Sequence, residues 1–287
     1  MSYKILAFDG GGIRGIYPAY ILREAYRDGI IKDVREQADM FVGTSTGAII
    51  AAALACNIDE ETIYHFYKHK ARKVFNETFR NELSFGLLTP KYSKKYLREI
   101  LTDLIGDVRM NELNVNLLIT STDVSTGKAV IFRKNSDISI VDAVLASISA
   151  PYYFSYEQIN NTNFADGGLW ACNPAIVGYV EAKYKYNIKE SEIMILSFGT
   201  GEVIHPRFLT GDTLKFQEVP ELISLLLTLQ AKHLDSLSKI ILGDKYTKIN
   251  MKVSWLAIDR VGFEFLDKMK KSYVSNRGRI RAFFLEE

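Results

Sequence analysis

Apolar and polar residues alternate along the chain in blocks that predict short buried strands followed by helices. Short continuous apolar runs are typical of strands covered on both faces, and apolar residues three or four positions apart are typical of amphipathic helices. The predicted strands are Ile5–Phe8, Met40–Val42, Asn116–Thr122, Ala129–Phe132 and Glu192–Phe198. The predicted helices are Tyr17–Gly29, Ala48–Cys56, Glu60–Phe75, Ser93–Ile105, Ile138–Ile148, Leu214–Leu242 and Val261–Val274, with a loop at Asn76–Tyr92.

This alternation predicts an α/β protein with three layers, α/β/α, around a mostly parallel central sheet. No linker is evident in the 287 residues, which permits one large domain or two small ones. Of these, a single domain over residues 1–287 is expected. Glycine turns follow Phe8, Val42 and Phe198, each at the end of a predicted strand. Because active sites of parallel sheets lie at the carboxyl ends of the strands, we expect a functional site where these three turns meet.

Composition narrows the function classes. The 36 basic and 34 acidic residues nearly balance, which argues against a protein dedicated to binding a nucleic acid polymer. The two cysteines, Cys56 and Cys172, are not in a CxxC pattern, so zinc is not suggested. No cofactor is expected. Neither a signal peptide nor an apolar run near the ~18 residues of a membrane span is visible, so we expect a soluble, cytoplasmic protein.

The glycine-rich segment after the first strand has two interpretations. Gly10, Gly12 and Gly15 match the dinucleotide-binding pattern G-x-G-x-x-G between a strand and a helix. The carboxylate of Asp9 would however face the pyrophosphate, and no acid about 20 residues further ends an obvious strand. Nucleotide binding and a plain structural turn both stay open at this point.

The other interpretation is an oxyanion hole. Without side chains, the backbone N–H groups of Gly10, Gly11 and Gly12 can converge at a helix start and attract negative charge. Arg14 would reinforce the positive field or tie down the loop through its guanidinium. Such donors stabilise the charge that develops during acyl transfer.

The segment Gly43–Gly47 matches the pattern G-x-S-x-G between a predicted strand and an apolar helix. This is the context of a nucleophile elbow, in which Gly43 and Gly47 permit a sharp turn and Ser45 stands at its apex. The pattern occurs by chance in many proteins, but its position next to the glycine-rich segment favours catalysis.

A serine nucleophile needs a base, and the sequence offers two candidates. His205 follows a glycine turn and would complete a Ser–Asp–His triad. His65 and His69 are interpreted as surface residues, and His233 as part of a long amphipathic helix with a structural or solvated role. Asp166 ends a short apolar run and precedes Gly167 and Gly168, so its carboxylate can reach a neighbouring strand end. An isolated Asp is a weak base at neutral pH, but a dry pocket would raise its basicity.

In combination, Asp9–Gly15, Gly43–Gly47 and Asp166–Gly168 resemble the motifs of the patatin-like phospholipase family, in the family's order and spacing. Further segments, such as Asn173–Pro174 and Ser197–Gly201, are also similar, and the resemblance covers nearly the whole chain. It implies a patatin-like fold and a metal-independent enzyme that hydrolyses acyl esters of phospholipids or related lipids. Hydrolysis would pass through an acyl-enzyme intermediate.

By the same resemblance, Ser45 is the nucleophile and Asp166 its base in a Ser–Asp dyad. The amides of Gly10–Gly12 form the oxyanion hole, with Arg14 in support. The implied partners are a lipid substrate, transient contact with a membrane surface and, by analogy with some bacterial relatives, a small nucleotide activator. A homo-oligomer and a catalytically idle signalling module stay open as alternatives.

Two further segments have alternative interpretations. The aromatic cluster Tyr152–Tyr156 borders an acyl channel or contacts a bilayer, or else packs in the core. The basic run Lys68–Lys73 meets anionic headgroups or is a solvated helix face.

Overall fold

The computed structural model describes residues 2–75, 90–203, 218–253 and 261–285. Its strands are β1 (Tyr3–Phe8), β2 (Met40–Thr44), β3 (Asn116–Asp123), β4 (Lys128–Phe132), β5 (Glu157–Ile159), β6 (Thr162–Asp166), β7 (Ile193–Phe198), β8 (Glu202–Val203), β9 (Tyr246–Ile249) and β10 (Lys252–Val253). Its α-helices are α1 (Ile16–Arg27), α2 (Val34–Gln37), α3 (Thr46–Ala55), α4 (Glu60–His65), α5 (Arg72–Val74), α6 (Lys95–Ile105), α7 (Ile140–Ser147), α8 (Gly168–Ala171), α9 (Ala175–Tyr184), α10 (Val219–Leu242) and α11 (Phe263–Leu285).

A central sheet with strand order β5-β6-β3-β2-β1-β7-β9 organises the fold. Strands β3, β2, β1, β7 and β9 pair in parallel, whereas β4 and β6 pair antiparallel with β3. Helices cover both faces of this sheet. The mostly parallel α/β arrangement predicted from the sequence is therefore confirmed.

The side chains of β1 show how the sheet separates two apolar layers. Leu6 and Phe8 point to the face covered by α1, α3 and α7. Ile5 and Ala7 point to the opposite face, where α9 packs. Because successive residues of a strand point to opposite faces, a fully apolar strand such as this one requires cover on both sides.

Helix α3 packs close to the sheet because its second residue is a glycine. A Cβ atom on Gly47 would lie 2.1 Å from the carbonyl oxygen of Phe8, which belongs to the backbone of β1. Helix α3 is buried along its whole length and is built mainly from alanine and isoleucine. Because most of these side chains are small, the N-terminus of α3 lies directly against the end of β1.

We expect Gly47→Ala to destabilise the protein by about 1–3 kcal/mol or more, because the added methyl group collides with rigid backbone. The matched control is Gly278→Ala in α11, where nothing lies within 4 Å of the added atom. That control should gain roughly 0.5–1 kcal/mol, as alanine does over glycine within a helix. Chemical denaturation of both variants measures the difference. Equal stability of the two variants would contradict the close packing of α3 on β1.

Strand β3 brings two distant parts of the chain together on one of its edges. At its start it pairs with β2, as far as Thr44 opposite Thr120. At the next residue the same edge passes to β6, with Asp166 opposite Ser121. Strand β4 occupies the other edge of β3 in this region. The ends of β2 and β6 therefore abut, and the residues that follow Thr44 lie next to Asp166.

The structure extends and corrects several sequence predictions. The predicted helix Glu60–Phe75 is interrupted by a π-helical segment, Phe66–Ala71, between α4 and α5. The last helix continues to Leu285 rather than ending at Val274. Most of the predicted loop Asn76–Tyr92 and the start of the helix predicted from Leu214 lie outside the described residues. In the part of the chain that the structure describes, no helix combines the length and apolar character needed to cross a membrane.

Candidate active site

Ser45 stands between β2 and α3 in a strained backbone conformation. Its φ of 54° and ψ of −123° lie in a region that residues other than glycine rarely adopt. Such strain persists only where the surroundings hold it, and here the Ser45 N–H donates a hydrogen bond of 2.8 Å to Ser147 Oγ. Gly43 makes the turn possible, because a Cβ there would lie 2.4 Å from the carbonyl oxygen of Gly47. The strand–turn–helix context expected from the sequence is present.

The hydroxyl of Ser45 and the carboxylate of Asp166 are in direct contact. Ser45 Oγ donates to Asp166 Oδ2 over 2.7 Å, and the Gly168 N–H donates to Asp166 Oδ1 over 2.6 Å. The backbone around Asp166 is also fixed, since its N–H donates to the carbonyl oxygen of Ser149 and its carbonyl accepts from Thr122 Oγ1. The carboxylate is thus held by both of its oxygens.

Burial changes the acidity of this carboxylate. Asp166 is only 4% exposed, and desolvation raises its pKa to about 6, although the hydrogen bonds from Ser45 and Gly168 act in the opposite direction. A carboxylate with this pKa is ionised at neutral pH and is a stronger base than a solvated Asp.

If Asp166 accepts the proton of Ser45, kcat/KM for a soluble ester should rise with pH through about 6 and level off above it. The base is inactive when protonated, so activity is lost on the acid side. A pH–rate profile with p-nitrophenyl butyrate measures this limb.

The control for this profile is Asp9→Asn, because burial also raises the pKa of Asp9 to about 6. The acid limb should persist in this variant. If the limb instead disappears with Asp9, it does not report Asp166.

The glycine-rich loop lies against Ser45, but its three amides are not equivalent. The Gly10 N–H already donates to the carbonyl oxygen of Cys172 over 2.9 Å, so Gly10 is not available as an oxyanion donor and the sequence-based expectation for it is corrected. None of the described residues accepts a hydrogen bond from the N–H of Gly11 or Gly12. Gly12 begins a short 3₁₀-helix, whose first N–H groups have no acceptor within the helix.

Gly10 and Gly11 have a steric role as well. A Cβ on Gly10 would lie 3.4 Å from the Cβ of Ser45, and one on Gly11 would lie 2.1 Å from Thr200 Oγ1. Thr200 in turn donates to the carbonyl oxygen of Gly10 over 2.7 Å. The absence of side chains lets the loop approach both Ser45 and Thr200.

Arg14 ties the glycine loop down from inside the protein. Its Nε donates to the carbonyl oxygen of Gly11 over 3.0 Å, while its buried Nη1 has no hydrogen-bond partner. Burial lowers the pKa of this guanidinium to about 10, so it stays charged at neutral pH. Of the two roles considered from the sequence, the contact to the loop is the one seen directly.

The remaining motif glycines allow close packing around the site. A Cβ on Gly15 would lie 2.3 Å from Thr46 Oγ1, and one on Gly167 would lie 2.2 Å from Thr120 Oγ1. Gly168 would place its Cβ 2.9 Å from Asp166 Oδ1, the atom that its own N–H contacts. All the glycines singled out from the sequence therefore lie around one centre.

Ser45 and Asp166 open into a cleft of about 680 Å³. Apart from these two residues and the glycine loop, its walls are mainly apolar and include Ile49, Leu97, Ile148, Tyr153, Phe154 and Leu227. Tyr153 and Phe154 come from the predicted aromatic cluster, whereas Tyr156 is 52% exposed and is not part of the wall. An apolar cleft next to a serine and a carboxylate suits a substrate that combines an ester with an alkyl chain.

The basic run Lys68–Lys73 lies on the outside of this cleft. Tyr67, Ala71 and Val74 point into the cleft, and the basic side chains of the same helical segment are exposed. The segment therefore separates the apolar cleft from solvent, with a cationic outer surface.

Some residues of the site were not expected from the sequence. Ser147 holds the N–H of Ser45, and Lys248 pairs with Asp9 at 2.5 Å across 239 positions of sequence. This pairing compensates the charge of Asp9, which the sequence alone left unexplained. A lysine far along the chain carries no local signal that would identify it.

His205, the alternative base, lies outside the described residues. Of the histidines that the structure describes, His65 and His69 stack on each other at 5.5 Å on an exposed helix face, and His233 is also exposed. None of these three lines the cleft.

Comparisons with known proteins agree with this picture. Residues 6–178 match the family model described as patatin-like phospholipase. The chain is 30% identical over 219 residues to the cGAMP-activated phospholipase of Escherichia coli (strain TW11681), an alignment that covers 69% of this chain and 62% of that protein. It is also 30% identical over 244 residues to patatin-like protein 1 of Arabidopsis thaliana, with 69% of this chain and 58% of the relative covered.

The chain thus spans about six tenths of the length of these relatives. Among solved structures, VipD from Legionella pneumophila is similar in fold, with a TM-score of 0.52 at 14% identity over 96% of this chain and 67% of that chain. The family model covers more than half of the chain and includes the glycine loop, Ser45 and Asp166. The chain therefore belongs to the patatin-like phospholipase family.

Proposed function

We propose that this chain is a serine acyl hydrolase that cleaves acyl esters of phospholipids or related lipids through Ser45 and Asp166. The observation that carries the proposal is the 2.7 Å hydrogen bond from Ser45 Oγ to Asp166 Oδ2 at the wall of an apolar cleft. A hydroxyl in contact with a buried carboxylate is the minimal arrangement for nucleophilic attack assisted by a base. Membership of the patatin-like phospholipase family supports the choice of lipid esters.

The first half of the reaction forms an acyl-enzyme. Asp166 takes the proton of Ser45 as the serine oxygen attacks the carbonyl carbon of the ester. The oxyanion of the tetrahedral adduct accepts hydrogen bonds from the N–H groups of Gly11 and Gly12. The adduct then collapses, the bond from the carbonyl carbon to the alcohol oxygen breaks, and Asp166 returns its proton to that leaving oxygen.

The second half releases the fatty acid. Asp166 takes a proton from water, and the resulting hydroxide attacks the carbonyl carbon of the acyl-serine. The same amides stabilise the second oxyanion, each contributing roughly 3 kcal/mol. When the bond to Ser45 Oγ breaks, the proton held by Asp166 returns to the serine. The proton passes from Ser45 to Asp166 in the first half and from Asp166 to Ser45 in the second over the short hydrogen bond between these residues.

Three features support our proposal for the acyl chain and for membrane contact. The apolar cleft accommodates the alkyl chain next to Ser45, and the basic outer face of Lys68–Lys73 offers cations to anionic headgroups. Leu169, Leu226 and Leu229 are about half exposed, on α8 and on the helix that contributes Leu227 to the cleft. We assign these surfaces to transient contact with a lipid surface.

The experiment that tests this function is release of fatty acid from a panel of mixed-lipid vesicles. Wild type should release fatty acid from at least one lipid class, and the matched variant Ser45→Ala should release none above background. Analysis of the products by mass spectrometry identifies the headgroup and acyl position. Intact folding of the wild type without any ester turnover, both with and without 3′,3′-cGAMP, would instead indicate a catalytically idle module.

Regulation by a small nucleotide is a second part of the proposal. Relatives in three bacteria, including Vibrio cholerae, are named cGAMP-activated phospholipases. By analogy, we expect a cyclic dinucleotide to raise fatty acid release by this chain. The alignment with the Escherichia coli relative covers 69% of this chain. We extend the proposal to the whole chain, so that residues 1–287 form one catalytic domain regulated by the nucleotide. Titration of 3′,3′-cGAMP into the vesicle assay provides the measurement.

A further inference from the structure

A second cleft, of about 530 Å³, lies beside the glycine loop. It shares Gly10, Gly11, Cys172 and Leu227 with the apolar cleft, so the two clefts meet at the loop and at Leu227. Their walls differ in chemistry. The second cleft is lined by charged and polar side chains, among them Arg14, Thr200, Lys232, Asp235, Lys248 and Asn250.

Most charges around this second cleft are compensated within the protein. Lys248 pairs with Asp9 at 2.5 Å, and Lys232 pairs with Glu202 at 3.0 Å. The carboxylate of Asp235 pairs with Lys239 at 2.6 Å, outside the cleft wall. These pairs contribute little net charge to the cleft.

Arg14 is the exception. It is 6% exposed, and no carboxylate of the described residues forms an ion pair with it. Of its five N–H groups, only the one on Nε is donated to a described residue, the carbonyl oxygen of Gly11. A buried guanidinium without a counter-ion is costly, and here the cost is concentrated in a residue that lines an open cleft.

A second unsatisfied atom belongs to Asp9, another residue that lines the same cleft. Asp9 Oδ1 is buried and has no hydrogen-bond donor, although Asp9 Oδ2 is paired with Lys248. An occupant that satisfies both residues therefore carries an acceptor with negative charge for Arg14 and a hydroxyl or N–H donor for Asp9. Its charge should be close to −1, since one guanidinium is uncompensated.

We propose that the second cleft binds a phosphodiester, with Arg14 as its cationic contact. A phosphodiester carries a single negative charge and several acceptor oxygens, and guanidinium is well suited to bind such a group. Two sources share this chemistry. A phospholipid places its phosphodiester a short glycerol segment away from an ester held at Ser45, whereas a cyclic dinucleotide carries phosphodiesters together with N–H and hydroxyl donors.

The lipid form of this inference rests on the proposed hydrolase function, and the nucleotide form deepens the proposed regulation. The position next to the glycine loop gives either ligand a direct effect on catalysis. Arg14 donates a hydrogen bond to the carbonyl oxygen of Gly11, and the N–H groups of Gly11 and Gly12 are the ones that we assign to the oxyanion. A group bound to Arg14 therefore acts on the oxyanion hole through this hydrogen bond.

Binding is tested by calorimetric titration on Ser45→Ala, in which turnover does not interfere. The probes are 3′,3′-cGAMP, monomeric dihexanoyl phosphatidylglycerol, and dihexanoylglycerol, which has the same esters without the phosphate. We expect at least one phosphodiester probe to bind, and the added change Arg14→Gln to weaken it roughly tenfold or more. Affinity for dihexanoylglycerol should not change with Arg14.

A second variant blocks the second cleft and leaves Arg14 unchanged. Ala231 on α10 lines the second cleft and not the apolar one, so Ala231→Phe should fill the cleft and weaken the same probe. The matched control is Ser236→Phe, an exposed position of the same helix outside the cleft wall. This pair decides the question if Arg14→Gln fails to fold.

The outcomes separate the two sources. If only the affinity for the lipid falls in the Arg14 and Ala231 variants, the cleft is a headgroup subsite. If only the affinity for the nucleotide falls, it is an activator site. If both affinities fall, it is a shared phosphodiester site. If neither probe shows affinity that depends on Arg14 or Ala231, the proposal is overturned and the cleft holds water only. Hydrolysis of p-nitrophenyl butyrate by wild type, which needs no phosphate, tests the proposed hydrolase function separately.

Discussion

Replacing Ser45 with alanine should lower ester hydrolysis by roughly 10³-fold or more, because no other nucleophile replaces the hydroxyl in contact with Asp166. The expectation follows from the 2.7 Å contact between Ser45 Oγ and Asp166 Oδ2, which removal of the oxygen abolishes. Initial rates with p-nitrophenyl butyrate and with phospholipid vesicles measure the loss. Retention of more than a tenth of the wild-type rate would contradict the assignment of the nucleophile.

Ser45→Gly separates the catalytic role of this residue from its conformational cost. Both substitutions remove the hydroxyl, but only glycine accepts a φ of 54° without strain. We therefore expect Ser45→Gly to be as inactive as Ser45→Ala, and to be more stable than Ser45→Ala by about 1 kcal/mol. Chemical denaturation of the two variants provides the comparison. Equal stability would mean that the turn holds no strain at this residue.

Asp166→Asn should lower activity by roughly 10²–10⁴-fold with little change in structure. Asparagine has nearly the shape of aspartate and can still accept the hydrogen bond from the Gly168 N–H, which contacts Asp166 Oδ1 at 2.6 Å. It cannot take a proton from Ser45. Kinetics on a soluble ester, with circular dichroism to confirm folding, measures the effect.

The control for this second prediction is His205→Ala, because His205 is the alternative base that the sequence leaves open. In a Ser–Asp dyad this variant keeps its activity. Full activity of Asp166→Asn together with loss of activity in His205→Ala would replace the dyad with a histidine-dependent mechanism.

The sequence predicts the strands that carry the site because each is a short apolar run closed by glycine. Ser45 and Asp166 are both found in this way, since each stands beside glycines at the end of a strand. Their meeting depends on the register of β3, which pairs Thr120 with Thr44 and Ser121 with Asp166. No local pattern encodes that a strand edge passes from β2 to β6 within one residue.

Other features were also missed, and one of them depends on a contact between distant segments. The hydrogen bond from the Gly10 N–H to Cys172 removes one of the three amides expected in the oxyanion hole. The very short strands β5, β8 and β10 carry too few residues to show a period. Helix α11 extends past Val274 through a stretch rich in charged and polar residues, where apolar spacing is too sparse to predict a helix.

The central claim is that the oxygen of Ser45 is a nucleophile activated by Asp166. It is tested most directly by treating wild type, Asp166→Asn and Ser45→Ala with a fluorophosphonate and mapping the adduct by peptide mass spectrometry. We predict one adduct on the peptide that contains Ser45 in wild type, much slower labelling in Asp166→Asn, and none in Ser45→Ala. An adduct on another residue, or equal labelling rates in wild type and Asp166→Asn, would contradict the claim.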